Sequence, residues 1–353
     1  MTGAPKYLIV GPSWVGDMVM AQSLYRLLLQ REPQATIHVV APPWSLPILE
    51  RMDQVARGIE LPVAHGETAF AKRYAIGKSL RSEGYTHAII LPRSLKSALV
   101  PFFARVPVRT GFRGEWRYGL INDMRPFDRE RLDQTVKRFV ELGRAADEVD
   151  DRPTFEFPRL RVDAKAQAQT LQRLGISGSE DVVALLPGAE YGPAKQWPLP
   201  SYADLARRLA RVGIAVWVLG SEKERDLGQS IADLAGHGAV RNLCGETRLG
   251  EVVDVLGAVR VAVTNDSGLL HVAAAVGVNV VAIYGSSSPK MTPPLTNKKH
   301  IFHLDLECSP CFERECPLEH LRCLRDIGVD EVCSTVITAL GQPHAAQQSG
   351  ANG

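Results

Sequence analysis

Two successive series of short β-branched apolar runs, each run followed by a stretch with helical spacing, constrain this chain more than any other feature. Tyr7–Val10, Ile37–Val40 and Ala88–Leu91 read as buried parallel strands, with a helical segment such as Met18–Leu29 after the first. The pattern weakens through a region rich in Pro and Arg, roughly 101–158. It resumes with Val182–Leu186, Ala215–Leu219, Val240–Leu243, Val261–Thr264 and Val280–Tyr284. Helical stretches near Tyr202–Arg211, Glu224–Ala235, Gly250–Leu256 and Leu269–Val276 separate these runs. Two βαβ series predict an α/β protein of two doubly wound domains, which agrees with about two domains for 353 residues. The linker is expected between Pro158 and Asp181, with the active site in a central cleft between the domains. The tail from Gly341 to Gly353 has a composition that predicts disorder, and no internal repeat is evident.

Several classes are excluded early. Hydrophobic residues make up 45% of the chain and charged residues 23%, which is neither a disordered nor a fibrous composition. No run reaches the roughly 18 apolar residues of a spanning helix; the longest candidate, Val272–Tyr284, is broken by Gly277 and Asn279. The first apolar run stops at Gly11-Pro12, unlike a signal peptide, so a cytoplasmic protein is expected. The net charge of +2 is unevenly placed. Arg93 to Arg138 holds 11 Lys/Arg against 5 Asp/Glu, a basic band suited to an anionic partner or to a solvated face. A nucleic-acid binder is disfavoured by the acidic remainder.

The first strand runs into Gly11-Pro-Ser-Trp-Val-Gly16-Asp17. This is neither a P-loop, which needs a following Lys-Ser/Thr, nor the dinucleotide fingerprint Gly-x-Gly-x-x-Gly, whose absence also argues against an oxidoreductase. Asp17 fits a helix-start carboxylate favoured by the dipole, and equally a general base facing a substrate hydroxyl. In the second half, the loop after Val182–Leu186 carries Gly188 and Lys195, a plausible phosphate cradle or a surface lysine. Glu222 follows the next strand, placed to accept from ribose hydroxyls or to open a helix. The sharpest motif is Asn265-Asp266-Ser267-Gly268-Leu-Leu-His271. Ser267 suits an N-cap, Gly268 admits a ligand to the backbone, and the helix end would meet a diphosphate. Asp266 could bind a sugar hydroxyl. His271 reads either as a ligand contact or as a core histidine.

Together, Gly11–Asp17, Lys195-x-Trp197-Pro198, Gly220-x-Glu222 and Asn265–His271 resemble the lipopolysaccharide heptosyltransferases. With Leu91-Pro-Arg-Ser-Leu-Lys-Ser97 and the terminal cysteine segment, the likeness is greatest to the branch that adds the second heptose. It spans residues of about 6–340. The resemblance implies inverting, ADP-heptose-dependent glycosyltransferases of GT-B architecture, with two Rossmann-like domains facing a central cleft. Residues 1–165 would bind the acceptor, and 166–340 would bind the donor. It implies Asp17 as catalytic base, Lys195 on the diphosphate and Glu222 on the nucleoside. Asp266, Ser267, Gly268, His271 and Gly188 would complete the donor site. The donor would be ADP-L-glycero-β-D-manno-heptose and the acceptor heptosyl-Kdo-lipid A, reached by peripheral contact with the inner face of the inner membrane. Arg93, Lys96, Arg113 and Arg117 become candidates for the acceptor's anionic groups. The chain has no Asp-x-Asp, so no catalytic metal is expected. Other sugar-nucleotide GT-B enzymes and a non-catalytic nucleotide- or lipopolysaccharide-binding protein are the competing readings.

Five of six cysteines follow residue 307, four of them spaced Cys308-x2-Cys311-x4-Cys316-x6-Cys323. In a cytosolic chain this spacing suggests a structural tetrathiolate zinc or iron site. Reduced thiols or a disulfide pair are the alternatives.

Overall fold

A computed structural model describes residues 3–64, 67–148, 153–177 and 181–341. The chain divides into two compact units. One comprises residues up to Arg161 together with Lys290–Leu295, and the other comprises Val162–Pro289 and the chain from Thr296. The expected disordered tail, from residue 342 on, lies outside the described residues.

The first unit is built on a sheet of six strands: β1 (Lys6–Val10), β2 (Thr36–Ala41), β3 (Arg57–Glu60), β4 (His87–Ile90), β5 (Val108–Phe112) and β6 (Asp123–Arg125). Their spatial order is β3-β2-β1-β4-β5-β6, and every pair is parallel. The second unit repeats the design with β7 (Val182–Leu186), β8 (Ala215–Val218), β9 (Val240–Asn242), β10 (Val261–Asn265), β11 (Asn279–Tyr284) and β12 (Lys299–His303). Its order is β12-β11-β10-β7-β8-β9, again all parallel. Read from the first strand of each unit, both orders are 3-2-1-4-5-6, the doubly wound arrangement. The order reverses between β1 and β4 in one sheet and between β7 and β10 in the other. A crevice at the carboxyl ends of those strands is where such sheets take ligands.

Why the central strands form is plain from their burial. All five residues of β7 and of β10 are buried, because helices cover both faces and leave no side for polar residues. The helices follow the complementary rule. In Leu199–Arg211, Tyr202, Ala203, Leu205, Ala206, Leu209 and Ala210 form the buried stripe, while Arg208 and Arg211 close the last turn against the dipole. The helix Ala164–Leu174 starts at Asp163, whose side chain accepts from the N–H groups of Lys165 and Ala166. The helix Gly268–Val276 stops at Gly277, which takes φ 93°, a left-handed conformation costly for residues with a Cβ. Each unit has its own apolar core, with Leu8, Val10 and Ile90 in the first and Val183, Val263 and Ile283 in the second.

Candidate active site

In the first unit, Gly11 follows β1 with the Met18 thioether packed against its Cα, where an added Cβ would fall 2.6 Å from the methionine methyl and oblige that side chain to shift. The chain then enters the helix Val15–Arg31, with Asp17 half-buried in its first turn. Asp17 raises the pKa of Arg138, while burial and the neighbouring Arg93 and Arg129 lower it more. The Asp17 carboxylate is therefore within electrostatic reach of the Arg138 guanidinium. Arg93 and Arg138 both lie over the ring of Phe127, at 4.2 and 5.3 Å from its centroid.

Of the four expected acceptor contacts, Arg93 and Arg113 are exposed and Lys96 is half-buried. Arg117 is different and corrects the expectation. It has no exposed surface. One terminal nitrogen donates to Pro92 O at 2.7 Å and the other to Phe112 O at 2.6 Å, with Ser97 Oγ 3.3 Å from the first. Burial, aided by Arg93, pushes its pKa down to about 10. Its two terminal nitrogens hold the loop after β4 and the end of β5, while its buried Nε has no partner among the described residues.

The second unit places its functional loops across its own switch point. The loop after β7 passes through the short turn Pro193–Lys195, and β10 delivers Asp266. The Lys195 ammonium donates to Asp266 Oδ2 at 2.6 Å, with only 17% and 6% of the two side chains exposed. It also lies 5.0 Å from the centroid of the Tyr191 ring. Asn265 opens the motif that continues through Asp266, and its identity alone assigns it no role. It is fully buried, and it ties the whole arrangement together. Its Oδ1 accepts from Trp197 N at 2.9 Å and from Tyr202 Oη at 3.0 Å, while its Nδ2 donates to Pro187 O at 2.7 Å.

Ser267 precedes the helix Gly268–Val276 in extended conformation, but its side chain makes no cap bond, contrary to the expected role. His271 is 5% exposed, and its Nδ1 has no partner. Burial lowers its pKa to about 4, Asp266 opposing and Lys195 assisting, so the ring is neutral at ordinary pH. Gly188 serves its own unit, because the space beside its Cα is filled by the Glu224 carboxylate. Glu222 is exposed, and its carboxylate is paired with Arg225 at 2.7 and 2.8 Å, which lowers its pKa. Ser286 and Ser287, in the turn after β11, are buried hydroxyls without partners that the sequence did not single out.

All six cysteines are free. Cys308, Cys311, Cys316 and Cys323 line one small hollow, and burial together with the other three thiols raises the Cys323 pKa to about 11. Among the described residues, no group of three or more His, Cys, Asp or Glu is placed to hold a metal ion.

The model of glycosyltransferase family 9 (heptosyltransferase) matches residues 73–322, well over half of the chain. This chain is a family 9 glycosyltransferase. Its relatives include the lipopolysaccharide heptosyltransferase 2 of Escherichia coli K12, 44% identical over 308 residues, which are 85% of this chain and 88% of that one. The lipooligosaccharide heptosyltransferase 2 of Haemophilus influenzae is likewise 44% identical, over 307 residues and 84% of this chain and 88% of that one. The solved E. coli ADP-heptose lipopolysaccharide heptosyltransferase II superposes with a TM-score of 0.84 at 40% identity, covering 95% of this chain and 98% of that one. The family 9 enzyme is thus a heptosyltransferase in class, and its two parallel sheets have the GT-B-like form of those relatives. No helix among the described residues is long and apolar enough to cross a membrane.

Proposed function

We propose that this enzyme transfers L-glycero-D-manno-heptose from ADP-L-glycero-β-D-manno-heptose to the 3-hydroxyl of the first heptose on Kdo-lipid A, with inversion. The observation that carries the reading is the 44% identity to lipopolysaccharide heptosyltransferase 2 over 85% of the chain. The chemistry is a direct displacement. The acceptor oxygen bonds to the anomeric carbon as the bond from that carbon to the diphosphate oxygen breaks, and ADP leaves. Asp17 takes the hydroxyl proton. Lys195 has three donors; Asp266 holds one, which aims the ammonium and leaves the others for phosphate oxygens. The N–H groups of the first turn of Gly268–Val276, which Ser267 does not cap, add to this charge stabilisation. Lysine and helix end together supply the positive charge the departing diphosphate needs, so transfer is expected to survive EDTA.

The N-terminal residues to 165 are read as the acceptor-binding domain and residues 166–340 as the donor-binding domain. Glu222, freed from Arg225, would meet the nucleoside, and His271, neutral, would pack beside the donor. The four clustered thiols are retained as a structural zinc or iron site on their spacing and common hollow, checked by metal content of the purified protein.

Cytoplasmic placement with peripheral contact to the inner membrane is part of the same reading. Phe70, Tyr74 and Phe102 are exposed and meet around the Phe103 ring, at centroid distances of 5.1 to 5.6 Å. From Thr68 to Gly114 the one acidic residue is Glu83, against Lys78, Arg81, Arg105, Arg109 and other cations. Aromatic rings flanked by cations suit an anionic bilayer surface.

The deciding experiment is acceptor-dependent ADP release from ADP-heptose with heptose-I-terminated lipopolysaccharide, for the wild type and Asp17→Asn. Turnover that collapses in the variant while ADP-heptose binding persists supports both assignments. Unchanged turnover in the variant removes Asp17 from its role. A wild type that neither binds ADP-heptose nor turns it over overturns the donor.

A further inference from the structure

A lysine carries its charge at the end of a flexible four-carbon stem, so an ammonium that must meet one diphosphate has to be held in place. Lys195 has two holds. One is the Asp266 carboxylate, whose Oδ2 accepts at 2.6 Å. The other is the Tyr191 ring, 5.0 Å from the ammonium to the centroid, within the reach of a cation–π contact.

The tyrosine is itself seated by a distant part of the chain. Its hydroxyl donates to Phe312 O at 2.6 Å, inside the segment that carries the four clustered cysteines. The Arg314 guanidinium of that segment lies 5.3 Å from the same ring centroid. Backbone contacts follow the same course. Ala194 N donates to Arg314 O at 3.0 Å, Ser286 N to Ala194 O at 3.2 Å, and Phe312 N to Ser286 O at 2.6 Å. The Ser309 hydroxyl donates to Gly285 O at 2.7 Å. So close an approach requires glycine on the donor side. A Cβ at Gly192 would fall 2.5 Å from Arg314 O, and one at Gly285 would fall 2.8 Å from Ala194 O. The hollow lined by Cys308, Cys311, Cys316 and Cys323 has Ala194 and Ser286 in its wall as well. The cysteine segment is therefore packed directly on the turn that carries Lys195.

We propose that Tyr191 is a positioning residue for the transfer, holding the Lys195 ammonium toward the donor diphosphate, and that the cysteine segment belongs to the donor site as the seat of that tyrosine. The inference deepens the function proposed above and rests on its assignment of Lys195 to the diphosphate.

The test uses the full-length enzyme, with ADP-heptose binding measured by calorimetry and kcat and KM by ADP release. Tyr191→Leu removes both the ring and the hydroxyl. It is expected to weaken ADP-heptose binding about tenfold, the scale of a partly desolvated cation–π contact, with the KM for the acceptor unchanged. Tyr191→Phe keeps the ring but releases it from Phe312 O, and is expected to fall between the two. In a Lys195→Gln background, Tyr191→Leu should cause no further loss, because the ring then has no ammonium to hold. A tyrosine that merely stabilised the loop would cost the same factor in both backgrounds. If Tyr191→Leu does not fold, the same cycle run with Tyr191→Phe decides. A Tyr191→Leu variant that binds ADP-heptose as the wild type does, or an equal loss in both backgrounds, overturns the positioning role. A Tyr191→Phe variant equal to the wild type strikes the cysteine segment from the site. A wild type that binds ADP-heptose but transfers nothing to heptose-I-terminated lipopolysaccharide refutes the proposed acceptor and leaves the binding cycle to decide on Tyr191. A wild type that does not bind ADP-heptose removes the donor reading, and this inference with it.

Discussion

Asn265→Asp is a change of one nitrogen to one oxygen at a fully buried position, and the structure gives its cost. The aspartate keeps the bonds accepted from Trp197 N and Tyr202 Oη, but its second oxygen now faces Pro187 O, where the amide donated at 2.7 Å. Two oxygens at that distance repel unless one carries a proton. A buried carboxyl in such a place has its pKa raised, by about 3 units on the scale of known buried groups. The sign follows from linkage. The folded variant holds a proton that the unfolded chain, with a pKa near 3.9, has released, so its stability falls as pH rises from about 4 to the raised pKa and is flat above it. At about 1.4 kcal/mol per unit, the variant is expected to be less stable than the wild type by about 4 kcal/mol at pH 7 and nearly equal to it at pH 4. Urea unfolding at pH 4, 5, 6 and 7, followed by tryptophan fluorescence, measures the difference, since Trp197 and Trp217 are both buried in the second unit. A difference under about 1 kcal/mol at pH 7, or one that does not vary with pH, would refute the reasoning that Asn265 is the donor locking the Pro187 loop.

Two other predictions concern charge and surface. His271 has a folded pKa near 4 against the ordinary 6.5, so the unfolded chain gains a proton first as pH drops. Its contribution is intact above about pH 6.5 and is lost as pH falls toward 4, a loss of about 3 kcal/mol that His271→Gln should remove from the stability profile. On the surface, replacing Phe70, Tyr74 and Phe102 with Ser should cut cosedimentation with phosphatidylglycerol vesicles at least about tenfold, since each buried ring contributes on the order of 1.5–3 kcal/mol. Transfer to a deacylated, soluble acceptor should be unchanged. Vesicle binding that survives the triple substitution would place the membrane contact elsewhere.

How much of this could be read from the chain follows from where each residue sits. The inner strands were legible because burial on both faces makes them runs of apolar residues; Val182–Leu186 matches β7 residue for residue. The strands β3, β6 and β12 were not, because they lie at sheet edges, where half-exposed positions take Arg, Asp, Lys and His; β3 reads Arg-Gly-Ile-Glu with one buried residue. β5 lies inside the sheet, but its Arg109 and Thr110 break the apolar run. The motifs around Lys195 and Asp266 stood out singly, yet their contact joins residues far apart in the chain and depends on the order of β7 and β10. Arg117 marks the limit of charge counting. It lies in a basic stretch, and only packing separates a solvated cation from one buried against backbone carbonyls. Ser267 has the identity of an N-cap without its bond, because cap chemistry depends on a rotamer as well as on a residue.

The short return of Lys290–Leu295 to the first unit sets a schedule for synthesis. Met291 O accepts from Thr135 N at 3.1 Å, at the start of the helix Thr135–Glu141 that lies against Val15–Arg31. A ribosome delivers the chain from its N-terminus at roughly 5–20 residues per second, so the first unit waits on the order of 10 s after Arg161 for its last piece, while the second is already emerging. During that interval it is an unfinished domain with the amino end of one helix open. Cutting the gene between Arg161 and Val162 would make the delay permanent, and would yield an N-terminal fragment that lacks part of its own unit.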